Sequence, residues 1–263
     1  MCEAYTRDSQ RFRTTLRKFA PRSRLVPRKS VVKTMSAPKR LVSVVGGLGV
    51  YPMVRLSLPG RRLIAYLCLR GHPVSRHAVA AELWPDQPED VGRANLRRAL
   101  WHVPAGWVSV VGTELVLDAE TDLSRVRQLA ARAISGDTLT LEDITLLSND
   151  ILPGWNEEWL IAAQDAFHLL RVQALEAACR TMAKAGNYVL ATQAGAAAVA
   201  AEPLSESAVE ALISAHLGQH NRHQAAQCFR SLEQRLRTEL GVSPDPVLTE
   251  RLVAVGIGRR SSR

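Results

Sequence analysis

Apolar and polar positions alternate between two periods along this chain, and the switches between them outline its elements. Residues 41–58, LVSVVGGLGVYPMVRLSL, read as short strands broken at Gly46-Gly47 and at Tyr51-Pro52. A helical period then takes over in RRLIAYLCLRGH, where Leu63, Ile64, Leu67 and Cys68 form a stripe and Gly71 is a stop signal. Ser75 is a good N-cap for RHAVAAELW, whose Ala78, Val79, Ala81, Leu83 and Trp84 supply a small apolar face before Pro85 ends it.

The next run, RANLRRALWHVP at residues 93–104, places Leu96, Ala99, Leu100 and Val103 on one side of a helix. Arg93, Arg97, Arg98 and Trp101 fall on the other. Pro88 is expected at the first helical position, with Glu89 and Asp90 in a first turn that points away from the basic face. WVSVVGTELVLD returns to period two, with Val108 and Val110 opposed to Ser109 and Val111 and a turn at Gly112-Thr113. Three helices followed by a hairpin predict a winged helix, whose third helix enters the major groove while the hairpin tip reaches the neighbouring backbone.

Beyond residue 128 the chain is alanine-rich, with little Gly or Pro inside its helical runs, which predicts packed antiparallel helices. An internal repeat appears when Ala191 is set against Ala226, an offset of 35 residues, close to the ~34-residue tetratricopeptide period. Asn156 is expected to cap a helix with Glu157 and Glu158 behind it, which accounts for that carboxylate pair without acid/base chemistry.

LPGRRLIAYLCLRGHPVSRHAVAAELWPD, GRANLRRALWHV and LVLDAETDLSRVRQL, in this order, resemble the DNA-binding domain of the Streptomyces antibiotic regulatory protein family. The stretches starting at ILPGWNEEWL and AAEPLSESAV resemble that family's bacterial transcriptional activator domain. The resemblance covers about residues 41–252. The fold it implies is mainly α with a small β component: an OmpR-type winged helix-turn-helix at 39–128, then a tetratricopeptide-like bundle at 129–252. The implied function is activation of transcription by binding direct repeats near promoters and recruiting RNA polymerase, for a secondary-metabolite gene cluster. The expected DNA-contacting residues are Arg93, Asn95, Arg97, Arg98, Trp101 and His102 on the third helix. Arg61, Arg62, Ser75 and Arg76 join them at helix starts, with Thr113 at the hairpin tip. Self-association on DNA is part of the expectation. The competing reading is a helical-repeat adaptor that keeps its winged helix only as structure.

Charge alters this picture in one respect. The net charge is +9, but residues 1–40 carry 12 Lys/Arg against 2 Asp/Glu, a net of +10, so the other 223 residues sum to −1. DNA binding is therefore argued from the local arginine cluster and not from overall charge. The basic segment 1–38 reads either as a disordered arm on phosphates or as sequence upstream of a start at Met35, and 253–263 as a disordered tail.

No signal-peptide core and no run of ~20 apolar residues is present, which predicts a cytoplasmic protein. Cys2, Cys68, Cys179 and Cys228 lack paired spacing. His216, His220 and His223 lie at i, i+4 and i+7, a spacing that would suit a metal were Asn221-Arg222 not a predicted inter-helix turn. Gly46-Gly47-Leu48-Gly49 lacks the rest of a nucleotide-binding pattern. Neither a catalytic constellation nor a cofactor is expected.

Overall fold

The structure, a computed structural model, describes residues 40–254. The expected arm and start at Met35, and residues 255–263 of the expected tail, lie outside the described residues. Strands β1 (Leu41–Ser43) and β2 (Gly49–Tyr51) pair antiparallel around the Gly46-Gly47 turn. Helix α1 (Leu58–Arg70) begins a turn earlier than its apolar stripe suggests, because Ser57 accepts from the Gly60 amide and Pro59 suits the first turn. It ends where Gly71 takes φ +64. All six residues from Leu63 to Cys68 are buried, so α1 is enclosed and not merely amphipathic.

Strand β3 (Val74–Ser75) leads into α2 (Arg76–Leu83), with Ser75 as the N-cap accepting from the Ala78 amide. Helix α3 spans Glu89–Trp101. Pro88 stands just before it in an extended conformation, so Glu89 is the first helical residue. The hairpin of β4 (Val108–Val111) and β5 (Glu114–Leu117) turns at Gly112, φ +62, and Thr113; β3 joins it in the order β3-β5-β4. The alternation expected of β4 fails near its tip, where Val110 and Val111 are both exposed. This strand lies at the sheet edge and outruns the core, which Trp107 and Leu115 enter instead.

β6 (Glu120–Thr121) pairs parallel with β1 and passes directly into α4 (Asp122–Ile134). The Asp122 carboxylate accepts from the Val44 amide at 2.9 Å and the Val45 amide at 3.1 Å, which ties α4 to the leading sheet. Burial raises the Asp122 pKa, and these backbone donors oppose the rise. The boundary expected at residue 128 thus falls inside a helix. One continuous core runs from Val42 in the sheet to Ala215 in the bundle, through Ile64, Leu96, Val126, Leu175 and Ala194.

After α5 (Leu141–Leu147), opened by a Thr140/Asp143 capping box, come α6 (Glu158–Lys184), α7 (Tyr188–Ala201), α8 (Glu206–Gly218) and α9 (Arg222–Arg235). The N-cap of α6 is Glu157, not Asn156. A π-helical turn (Leu236–Leu240) and α10 (Pro246–Ala254) close the described chain, so residues 253 and 254 of the expected tail are helical.

The repeat has a period of 34 residues, not 35. Gly186 and His220 both adopt positive φ, Asn187 and Asn221 both cap a helix, and each Asn amide donates five residues back, to Met182 and His216. Ala191 therefore matches Ala225, both fully buried, while Ala226 is only half-buried. The end of α6 with α7, and α8 with α9, form two tetratricopeptide-like hairpins. Among the described residues no helix is long and apolar enough to cross a membrane.

Candidate nucleic-acid interface

Helix α3 is held in phase by Gly92, Leu96 and Ala99, which face the core, with Val103 buried just beyond its end. Gly92 faces α2, where a Cβ would meet the Ala80 carbonyl oxygen at 3.5 Å, an ordinary van der Waals contact. With this arc inward, Arg93, Arg97 and Arg98 are exposed. Arg98 Nη1 donates to Asn95 Oδ1 at 3.4 Å. Trp101, at the last turn, is 87% exposed, and His102 follows it at the C-cap. Leu100 lies at the edge of the inward arc and not at its centre. It lines a groove of about 310 Å³ together with Arg76, Asp90, Arg93, Leu96 and Arg97.

The expectation that the first turn carries its acids away from the basic face is corrected here. Asp90 lines the same groove as Arg93 and Arg97. Glu89 Oε1 lies 3.5 Å from Arg93 Nη1, one turn along α3, and 3.5 Å from His77 Nδ1 on α2. At 100° per residue, Glu89 and Asp90 project on either side of Arg93, so a helix that exposes Arg93 also presents both acids nearby.

Other expected residues divide into two groups. Arg76 is exposed at the start of α2, and its amide donates to the Thr113 carbonyl at 2.9 Å, so the hairpin tip is fastened beside the helix-turn-helix. Arg61 is exposed in the first turns of α1. Ser75 spends its hydroxyl on the α2 cap.

Arg62 does not join this surface. Its Nη2 donates to the Leu83 carbonyl at 2.8 Å and to Glu157 Oε2 at 2.7 Å, and its guanidinium lies 6.0 Å from the Trp84 ring. An arginine four residues into α1 faces the core side of that helix, where α2 ends and α6 begins. Trp159 completes the junction by donating its indole N–H to Glu157 and packing edge-on against Tyr66 at 5.4 Å. Trp84 and Trp159 are thus junction residues, and Trp155 packs half-buried against the same core.

The candidate metal residues are not brought together. His216 Nδ1 is buried without a hydrogen-bond partner, and its pKa is lowered by that burial; His220 occupies the turn. Among the described residues no three of His, Cys, Asp and Glu are grouped so as to hold a metal ion. Sequence reasoning missed Glu157 and Asp122, whose roles depend on partners roughly 80 or more residues away. The capping pair Thr140 and Asp143 was readable from its spacing.

The family model described as "Bacterial transcriptional activator domain" matches residues 121–255, just over half the chain and starting at the junction of β6 and α4. The chain belongs to this family, which places it among transcription regulators. A solved structure of Mycobacterium tuberculosis EmbR, in complex with a low-affinity phosphopeptide, is similar with a TM-score of 0.62 at 19% identity. The likeness covers 84% of this chain and 66% of that one, so this chain spans just under two thirds of that structure's length, and what they share is the fold. No curated protein matches in sequence.

Proposed function

We propose that this protein is a sequence-specific, DNA-binding transcription activator that acts by binding and not by catalysis. One observation carries the reading: α3 buries Gly92, Leu96 and Ala99 and leaves Arg93, Arg97 and Arg98 on the open side of a helix-turn-helix. Arginine is suited to that position, since its planar fork reads guanine edges in the major groove or grips phosphate. Asn95, Trp101 and His102 flank the arginines on the same helix. Arg61 and Arg76 are offered to phosphate, with Thr113 beside Arg76 on the hairpin.

In this reading two copies occupy direct repeats near a promoter, in the cytoplasm, and the helical lobe helps to recruit RNA polymerase to a secondary-metabolite gene cluster. Membership of the activator-domain family supports the regulatory part. The test is selection from randomised duplex DNA followed by mobility shift. Enrichment of one motif, lost in Arg97→Ala, is the expected result; binding without sequence preference would overturn it.

A further inference from the structure

We infer that Glu89 is a positioning residue for base readout, holding Arg93 in register and thereby setting which base pair it selects. This rests on the DNA-binding reading above. Glu89 Oε1 stands 3.5 Å from both Arg93 Nη1 and His77 Nδ1, so the carboxylate lies between the two helices of the helix-turn-helix. A negative charge there works against phosphate binding, and Asp90 stands in the same groove.

Complementing the helix dipole does not require that arrangement, because Asp90 already supplies an acid to the first turn of α3. Nor does fold stability, since an exposed i,i+4 pair contributes little. What the pair does is restrict a long side chain that is 60% exposed. An arginine already held by a carboxylate loses less rotamer freedom on docking to a base. The adjacent negative charge also penalises positions in which Arg93 would slide onto phosphate, a repulsive element that sharpens discrimination.

The experiment is selection from randomised duplex DNA with four proteins: wild type, Glu89→Gln, Arg93→Ala and the double variant, each checked for helical content. Glu89→Gln is expected to bind non-specific duplex more tightly and to lose roughly twofold in discrimination at one base-pair position, the scale an exposed i,i+4 pair can supply. That position is the one flattened by Arg93→Ala, and in the Arg93→Ala background the Gln substitution changes it no further. An unchanged selected motif in Glu89→Gln overturns the proposal. So does an effect that persists without Arg93, which would mean that Glu89 contacts DNA directly. A wild type that selects no motif overturns the DNA-binding reading itself, and this is distinguishable from a failure confined to Glu89.

Discussion

The Arg62 guanidinium donates to the Glu157 carboxylate at 2.7 Å across the junction of the winged helix and the helical lobe, while the same nitrogen closes the C-terminal end of α2. Both side chains are about three quarters buried, at 22% and 25% exposed. The helices that support α3 and the start of α6 are therefore one packed unit. Glu157→Ala is expected to cost about 1–3 kcal/mol, because it strands a largely buried guanidinium. A double-mutant cycle with Arg62→Ala, read by chemical denaturation, should give a coupling of at least ~0.5 kcal/mol; additive losses would show the two residues to be independent.

The helix phase of α3 separates folding from binding. Leu96→Ala should cost about 2–5 kcal/mol as a fully enclosed truncation. Leu100→Ala should cost clearly less, since that side chain is only half-buried at the groove edge. Arg97→Ala should leave the melting temperature unchanged and weaken DNA binding. Thermal melts beside mobility shifts check all three.

The thiols should divide by burial. Desolvation pushes Cys68 up to about 12 and Cys179 up to about 11, and it raises Cys228, which is half-buried, as well. A native-state thiol reagent near pH 8 should therefore modify Cys228 well before the other two. Because the folded Cys68 thiol holds its proton more tightly than the unfolded thiol at 9.0, its contribution to stability is complete below pH 9 and is lost as pH climbs from 9 toward 12. Cys68→Ala should flatten that part of the alkaline stability profile.

Gly195 lets α7 settle between its neighbours. A Cβ there would stand 2.9 Å from Cys179 Sγ and 3.2 Å from the Leu212 Cα, and the latter cannot swing aside. Gly195→Ala should thus lower stability by about 1–3 kcal/mol, overriding the ~1 kcal/mol that alanine gains in a helix. A melting temperature equal to or above wild type would contradict this packing.

If two copies read direct repeats, cooperative binding should peak when the sites are about one helical turn apart, ~10–11 bp, so that both recognition helices meet one face of the duplex. It should collapse at an added half turn. A mobility-shift series over spacing decides this, and a preference for inverted repeats would rule out the tandem arrangement.

Local sequence determined the elements whose signals are local. Ser75 caps α2 because its hydroxyl is three residues from the amide it serves, and Gly71 stops α1 because only glycine takes φ +64 without strain. Helical period placed Leu96, Ala99 and Val103 on the inward side of α3 but not Gly92, and the switch between the two periods gave the order of three helices and a hairpin. The near-34-residue repeat was visible in composition, but only the matching Asn187 and Asn221 caps set it to 34. What the tertiary structure decided is where the long side chains go. Arg61 and Arg62 are adjacent and alike in sequence, yet one is exposed and the other is spent on Leu83 and Glu157. Glu89 was read as turned away, yet it reaches Arg93 and His77. A flexible arginine or glutamate takes its role from partners brought near by packing, and no periodicity in the chain encodes which helix ends will meet.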